Sequence, residues 1–319
     1  MNTTFEKPKA EGQILVRLRR RAMGCLFELA LAGHDEDYLT AAGAEALDIL
    51  EPLERQLSVF IPDSEICYLN ACAWREPVRV EARLYKLLKL SARLSEETEG
   101  AFDITSGPLV RLWGFAGGGR QSHIPLDKDI RDALKCMGFR YVLFDDEWCT
   151  VKFLREGMEF NLGGIGKGYA IDEIASFLIE RGVTSGLIHA GTSTIYALGC
   201  PPGEEGWKIG IRSGSDSSEV IATVTLKNQA LSTSGGYEQY IELDGLRYSH
   251  IIDPRTGFPA EGLLSASAIT SSATLSDALS TAFFVLGVEG TRDYCKRHSD
   301  VSAVLAQKDG SYLQITHSS

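Results

Sequence analysis

Asn161-Leu162-Gly163-Gly164-Ile165-Gly166-Lys167-Gly168-Tyr169-Ala170-Ile171-Asp172 is the stretch on which the reading of this chain turns. Four glycines surround one lysine, between a strand-like segment (Val151 to Phe160) and a helix-like one (Tyr169 to Glu180). Glycines let backbone amides come close to a ligand, a helix start favours anions, and the lysine adds a full positive charge. The run therefore points to a phosphate-bearing ligand, with a plain glycine turn ahead of a helix as the structural alternative. It is not a P-loop, which needs Gly where Asn161 stands and Ser or Thr where Gly168 stands. Nor is it a dinucleotide fingerprint, because counting from Gly164 and Gly166 the third small residue would have to be Tyr169.

The rest of the composition narrows the ligand. The chain has 319 residues and a formal net charge of -11, which excludes nucleic acid as an expected partner, since phosphate backbones select basic surfaces. An anionic small ligand then needs local positive charge or a metal. Seven cysteines are irregularly spaced, without a CxxC pair, so neither a zinc site nor a dithiol motif is indicated and reduced thiols are expected. Arg17, Arg19, Arg20 and Arg21 precede the apolar stretch Met23 to Ala32, and Ala22-Met23-Gly24-Cys25 faintly resembles a lipoprotein cleavage site. No apolar region precedes Cys25, however, and Glu28 interrupts the stretch, which is too short to span a bilayer. The expectation is a cytoplasmic protein without membrane insertion.

Residues 1–12 read as loose, and 13–319 as one catalytic domain or two intimate halves. Ile14 to Leu18 and Leu26 to Leu31 read as strands, with Arg19 to Arg21 between them. Tyr38 to Gln56 reads as a helix that Pro52 bends, Ser58 to Asn70 as loop, and Leu84 to Thr98 as an amphipathic helix ended by Gly100. Asp103 to Phe115 reads as irregular, leading to a Gly117-Gly118-Gly119 tip. A helix (Lys128 to Met137) and two strands (Tyr141 to Phe144, Cys149 to Phe153) follow. Beyond the glycine-lysine run and its helix come strands at Gly186 to His189, Thr194 to Leu198, Trp207 to Ile211, Val220 to Leu226, Ala230 to Thr233, Tyr240 to Leu243 and Ser265 to Thr270. Two helices, Leu275 to Leu286 and Thr291 to Arg297, precede a closing pair of strands. Many strands on short turns with several long helices indicate α+β with mixed or antiparallel sheets rather than a βαβ series.

Three further segments carry chemistry. Asp277 and Thr281 are four apart in the helix that opens at Thr274, so their oxygens share a face and suit a hard cation such as Mg²⁺. Alternatively, Thr274-x-x-Asp277 is a capping pattern. His250-Ile251-Ile252-Asp253-Pro254-Arg255-Thr256-Gly257 reads as a strand and a tight turn, in which His250 can accept a proton near neutral pH or serve a structural role alone. Ser232-Thr233-Ser234-Gly235 offers hydroxyls to a ligand or simply turns the chain, and Gly100-Ala101-Phe102-Asp103 offers an aromatic ring with a carboxylate beside it, with Phe102 as core filler the structural alternative.

In series, these blocks resemble one family. Met23-Gly24 with Phe27 comes first, then Leu57-Ser58-Val59-Phe60, Asp63-Ser64-Glu65 and Asn70. Gly100 to Thr105, Gly107-Pro108-Leu109 and Leu112-Trp113-Gly114-Phe115 follow, ahead of Leu162 to Asp172, Ser232 to Gly235, His250 to Gly257 and Asp277-Ala278-Leu279-Ser280-Thr281. Together they are similar to the ApbE-like FAD:protein FMN transferases, in the family's order from Met23 to Gly287.

The resemblance implies a T-fold-related α+β architecture. It also implies a Mg²⁺-dependent enzyme that takes FAD, transfers FMN to a threonine or serine hydroxyl of a flavin-acceptor redox protein, and releases AMP. By similarity, Asp277, Thr281 and the backbone carbonyl of Gly164 would bind the metal, while Met23, Phe60, Ala101, Phe102, Asp103, Asn161, Lys167 and Ile251 would line the FAD site. His250 or a metal-proximal carboxylate would be the base, and Arg255 would assist Lys167 at the diphosphate. Two positions depart from the pattern: Asn161 stands where the family usually has Asp, and Thr192 where a second glycine usually follows Ala190-Gly191. The same residues also fit an FAD pyrophosphatase or a non-catalytic FAD-binding protein.

Overall fold

The computed structural model describes residues 14–115, 124–201, 203–212, 220–237, 240–243 and 246–316. The expected loose segment 1–12 and the Gly117-Gly118-Gly119 tip lie outside the described residues. Strands β1 (Ile14–Ala22) and β2 (Cys25–Gly33) form an antiparallel hairpin closed by Met23 and Gly24, with Ala22 opposite Cys25. Both turn residues have positive φ, 50° and 72°, the backbone of a type I′ turn, whose twist matches that of its strands. Arg19, Arg20 and Arg21 therefore continue β1 instead of separating two strands. Alternation along the strand leaves Arg17, Arg19 and Arg21 exposed, so their charge stays in water.

The single helix expected from Tyr38 to Gln56 is two, α1 (Glu36–Asp48) and α2 (Leu50–Leu57). Pro52 lies in the first turn of α2, where a missing N–H breaks no helical bond. The expected loop that follows contains α3 (Glu65–Cys72), whose start is capped by Ser64 Oγ accepting the Cys67 amide at 3.0 Å. Then come β3 (Val78–Arg79) and α4 (Ala82–Glu97), after which Glu99 and Gly100 both take positive φ. The segment expected to be irregular forms α5 (Gly107–Leu112), and α6 (Asp127–Lys135) follows. Strands β4 (Val142–Asp145) and β5 (Thr150–Phe153) complete a three-stranded sheet in the order β3-β5-β4. The strand-like reading of Val151 to Phe160 stops at Phe153; beyond it, Glu159 makes only an isolated bridge with Ser106.

The helix after the glycine-lysine run is α7 (Gly166–Glu180). Strands β6 (Gly186–Ala190), β7 (Thr194–Leu198), β8 (Trp207–Arg212), β9 (Val220–Leu226), β10 (Gln229–Gly235), β11 (Tyr240–Leu243), β12 (Leu246–Ser249) and β13 (Leu263–Thr270) follow. The chain closes with α8 (Ala273–Arg297), β14 (Ser302–Gln307) and β15 (Tyr312–Ile315). The two helices expected near the C-terminus are the two arms of α8, separated by the non-helical backbone of Gly287 (φ 68°, ψ -165°).

The principal sheet has eight strands in the order β1-β2-β6-β7-β10-β13-β14-β15, each antiparallel to its neighbours. Alternation sends Phe27, Leu29, Leu31, Tyr196, Ala230 and Ala268 into a core shared with α1, α7 and α8. The opposite parity, Ala30, Leu187, Ile195, Leu231 and Ile269, meets Trp207, Ile209, Ile211 and Leu226 of the β8–β9 hairpin. The fold is thus α+β with antiparallel sheets, and burial on both faces of one sheet is its main source of stability. No described helix is long and apolar enough to cross a membrane.

Candidate active site

The starts of α7 and α8 meet against β7 and β10, the central strands of the eight-stranded sheet. Gly168, in the first turn of α7, donates its amide to Asp277 Oδ2 at 2.9 Å. A Cβ on residue 168 would stand 2.2 Å from the carbonyl oxygen of Ala273, so only glycine permits this approach. Asp277 does not cap its own helix, as the capping alternative required. Ser272 is the N-cap, with its Oγ accepting the Leu275 amide at 3.3 Å. Asp277 is 4% exposed, and its carboxylate faces the glycine-lysine run.

A ladder of hydroxyls surrounds it. Thr194 Oγ1 on β7 donates to Asp277 Oδ1 at 3.3 Å. On β10, Ser232 Oγ lies 2.7 Å from Ser276 Oγ, and Ser234 Oγ lies 2.9 Å from Ser280 Oγ and 3.2 Å from Thr281 Oγ1. The period of two sends Thr233 to the other face, where its hydroxyl pairs with Ser267 at 2.8 Å. The side chains of the Ser232-Thr233-Ser234 run therefore divide, and only the serines serve this corner.

The glycine-lysine run closes the corner from the other side. Ile165 is the N-cap of α7 and brings no side-chain capping bond; the Gly166 amide is taken by the Leu162 carbonyl at 2.8 Å and the Gly168 amide by Asp277, and the helix start contributes its positive dipole. Lys167 Nζ lies 3.5 Å from the Gly163 carbonyl oxygen and 3.9 Å from Asp277 Oδ1. Gly164 stands against Thr281 and Phe102: a Cβ there would meet Thr281 Oγ1 and Phe102 Cε2, each at 3.4 Å. Asp277, Thr281, Gly164, Lys167 and Phe102 are thereby brought together from three separate parts of the sequence.

Known proteins resemble this chain in sequence and in fold. The ApbE family model matches residues 23–305. The chain belongs to the ApbE family. A FAD:protein FMN transferase of Klebsiella pneumoniae (strain 342) is 32% identical over 291 residues, covering 90% of this chain and 87% of its own. One of Treponema pallidum (strain Nichols) is 34% identical over 284 residues, covering 84% and 78%. Among solved structures, the ApbE protein of Thermotoga maritima superposes with a TM-score of 0.88 at 31% identity, covering 95% of this chain and 97% of that one. The flavin transferase ApbE of Vibrio cholerae gives 0.84 at 26% identity, covering 96% and 98%.

In this ApbE-family chain the remaining expected residues take definite places. Ala101 and Phe102 are buried on the loop after α4, and the Phe102 amide donates to Thr98 Oγ1 at 3.1 Å. Burial pushes the Asp103 carboxyl up, opposed by hydrogen bonds from Thr105 and Ser95 and by Arg140. Asn161 donates its amide to the Ile104 carbonyl at 2.7 Å and accepts the Gly163 amide on Oδ1 at 2.8 Å, a turn that an aspartate would make with the same oxygen. Thr192 keeps negative φ: among the described non-glycine residues, the positive values are those of Met23, Glu99, Cys149 and Asn228. That departure from the family pattern therefore adds no backbone strain.

Met23 holds its turn with its amide on Glu54 Oε1 at 2.8 Å. Phe60 is 65% exposed on the turn before α3. Ile251 is buried, its carbonyl accepting the Ala260 amide at 2.8 Å. The His250 ring lies edge-on to Phe115, with centroids 6.4 Å apart. The expected strand there ends at Ser249, and beyond it Ile252 forms an isolated bridge with Pro259. Arg255, expected to assist Lys167, forms a bidentate pair with Asp253 at 2.9 and 2.8 Å, which raises the guanidinium's pKa and balances its charge locally.

Four neighbours of the corner had no role in the sequence reading: Asp172, Glu54, Thr194 and Cys25. Burial pushes the Cys25 thiol up, Lys167 pulls it down, and Asp277 and Glu54 push it up again, so this thiol shares the site's field. Its signal in the sequence was its place directly after the Met23-Gly24 turn. Among the described residues no three His, Cys, Asp or Glu side chains form a metal cluster. Any divalent ion here would rest on one carboxylate with neutral oxygens. That donor set fits Mg²⁺, which is commonly held by one or two carboxylates together with substrate phosphates.

Proposed function

We propose that this chain transfers the FMN part of FAD to a threonine or serine hydroxyl of a target protein and releases AMP, with Mg²⁺ as cofactor. The observation that carries the reading is the corner at the start of α7, where the Lys167 ammonium stands 3.9 Å from the Asp277 carboxylate and Thr281 Oγ1 stands beside Gly164. In a protein of net negative charge, cationic and hard-oxygen groups gathered in one corner favour a diphosphate. Mg²⁺ held by Asp277, Thr281 and the Gly164 carbonyl would supply charge neutralisation at the phosphoryl oxygens.

The chain's own groups then divide the work. Lys167 and the positive dipole at the start of α7 bind the diphosphate bridge. Phe102, Ala101, Met23, Phe60 and Ile251 offer apolar contact to the flavin and adenine rings, with Asp103 and Asn161 as polar partners. The target hydroxyl oxygen forms a bond to the FMN phosphorus while the bond from that phosphorus to the AMP oxygen breaks. The hydroxyl proton passes to a base, a role we give to His250. The target is a redox protein that uses covalent flavin. The seven free cysteines support a reducing, cytoplasmic setting.

The test is to incubate the purified chain with FAD and Mg²⁺, with and without a protein carrying a serine- or threonine-containing acceptor segment. AMP release matched by covalent FMN on the acceptor, read by mass spectrometry, is expected. Free FMN without acceptor would assign water as the acceptor instead. FAD binding without AMP at any Mg²⁺ concentration would reject catalysis.

A further inference from the structure

Gly168 and Asp172 are four apart on α7, and Ala273 and Asp277 are four apart on α8, so each pair shares one helix face. The two faces meet through two rungs of opposite polarity. Asp277 on α8 accepts the Gly168 amide of α7, and Asp172 on α7 accepts the amides of Ala273 and Thr274 at the start of α8, at 2.8 and 2.9 Å. Asp172 Oδ2 also accepts Ser272 Oγ and Thr274 Oγ1, each at 2.6 Å. Each carboxylate thus occupies the start of the other's helix, where negative charge is favoured by the dipole.

We infer that Asp172 is a positioning residue: by fixing the first turn of α8 to α7, it sets the height and rotation at which the Asp277 carboxylate is presented to a divalent cation. This rests on the reading of Asp277 as a metal ligand. Four donors from three consecutive residues engage Asp172, using the acceptor capacity of a carboxylate, so it is neither a ligand nor a base itself. Its effect on chemistry passes through α8. Asp277 follows the clamped Ala273 by four residues, and Thr281 follows by four more, so tilting the first turn of α8 moves both ligand candidates together. Gly168 leaves no slack on the opposite rung, because the helices touch there backbone to backbone.

The experiment measures Mn²⁺ binding to the full chain without FAD, from the electron paramagnetic resonance signal of free Mn²⁺, for wild type, Asp172→Asn, Thr274→Val and Asp277→Ala. Asp172→Asn turns one acceptor oxygen into a donor facing donors, and the Mn²⁺ Kd should rise by roughly tenfold, the usual scale for groups that orient a ligand. Thr274→Val removes one hydroxyl donor and should raise Kd in the same direction by less. FAD binding in the absence of metal should stay within about twofold in both variants. An unchanged Kd in folded Asp172→Asn overturns the inference; if that variant does not fold, an unchanged Kd in Thr274→Val does so. Wild-type affinity in Asp277→Ala would sink the metal assignment itself. Loss of binding in Asp277→Ala with both other variants unaltered would sink only the role of Asp172.

Discussion

The Asp277 carboxylate reaches out of its own helix to accept the Gly168 amide of α7 at 2.9 Å, and the same residue 168 has no room for a side chain. One contact therefore joins the packing of the two helices to the placement of the buried acid. Gly168→Ala puts a methyl 2.2 Å from the Ala273 carbonyl oxygen and 2.8 Å from Asp277 Cβ. The helices must part, at a cost of about 1–3 kcal/mol for overpacking. A lowered urea midpoint together with loss of AMP release is expected. An unchanged midpoint would show that the two helix starts are free to separate.

Met23 stands in the left-handed region at φ 50°, where a side chain costs about 1–2 kcal/mol that glycine does not bear. Strain of this kind persists where function keeps it. Met23→Gly should hold stability or raise it by up to about 1 kcal/mol while weakening FAD binding. Calorimetric unfolding alongside an FAD titration separates the two effects. A clear fall in stability with FAD affinity intact would make Met23 a packing residue and nothing more.

His189 on β6 is buried, which lowers its pKa from 6.5 to about 4. The native state keeps it neutral while the unfolded chain takes up a proton below pH 6.5. Stability is therefore intact above that pH and declines as pH falls toward 4, by about 2 kcal/mol at pH 5. His189→Gln should flatten this limb, read as the difference between urea midpoints at pH 7 and pH 5. Equal acid sensitivity in both proteins would assign the loss to other groups.

Much of the fold was legible because alternation and strand length speak locally. Thr194 to Leu198, Tyr240 to Leu243 and the end of β13 at Thr270 stand where the sequence put them. That Asp277 and Thr281 share one face of α8 was legible through their spacing of four. The misses share a cause. α3 has eight residues and begins at a serine just after Pro62-Asp63, so the turn signal masked the cap that Ser64 supplies. α5 is six residues long and opens on Gly107-Pro108, where proline at a helix start resembles proline in a loop. Asp172 closed the quoted run with no sign of its role, since its partners lie about a hundred residues away and no local pattern encodes them. The pairing of Arg255 with Asp253, two residues before it, was not anticipated, because the turn that aims one side chain at the other is not encoded in their spacing.

Lys167 tests the division between binding substrate and binding metal. Its ammonium lies 3.5 Å from the Gly163 carbonyl oxygen and 3.9 Å from Asp277 Oδ1, with about a quarter of the side chain exposed (27%). A charged hydrogen bond to a diphosphate oxygen contributes about 1.5–3 kcal/mol, so Lys167→Ala should weaken FAD binding by roughly 10- to 100-fold. Its effect on the cation has the opposite sign. Removing a positive charge beside Asp277 relieves repulsion against a second one, so Mn²⁺ affinity without FAD should hold or improve. FAD titration by fluorescence and Mn²⁺ titration on the same variant read the two separately. If both affinities fall together, Lys167 is a brace for the glycine run, and the diphosphate must find its counter-charge elsewhere along the start of α7.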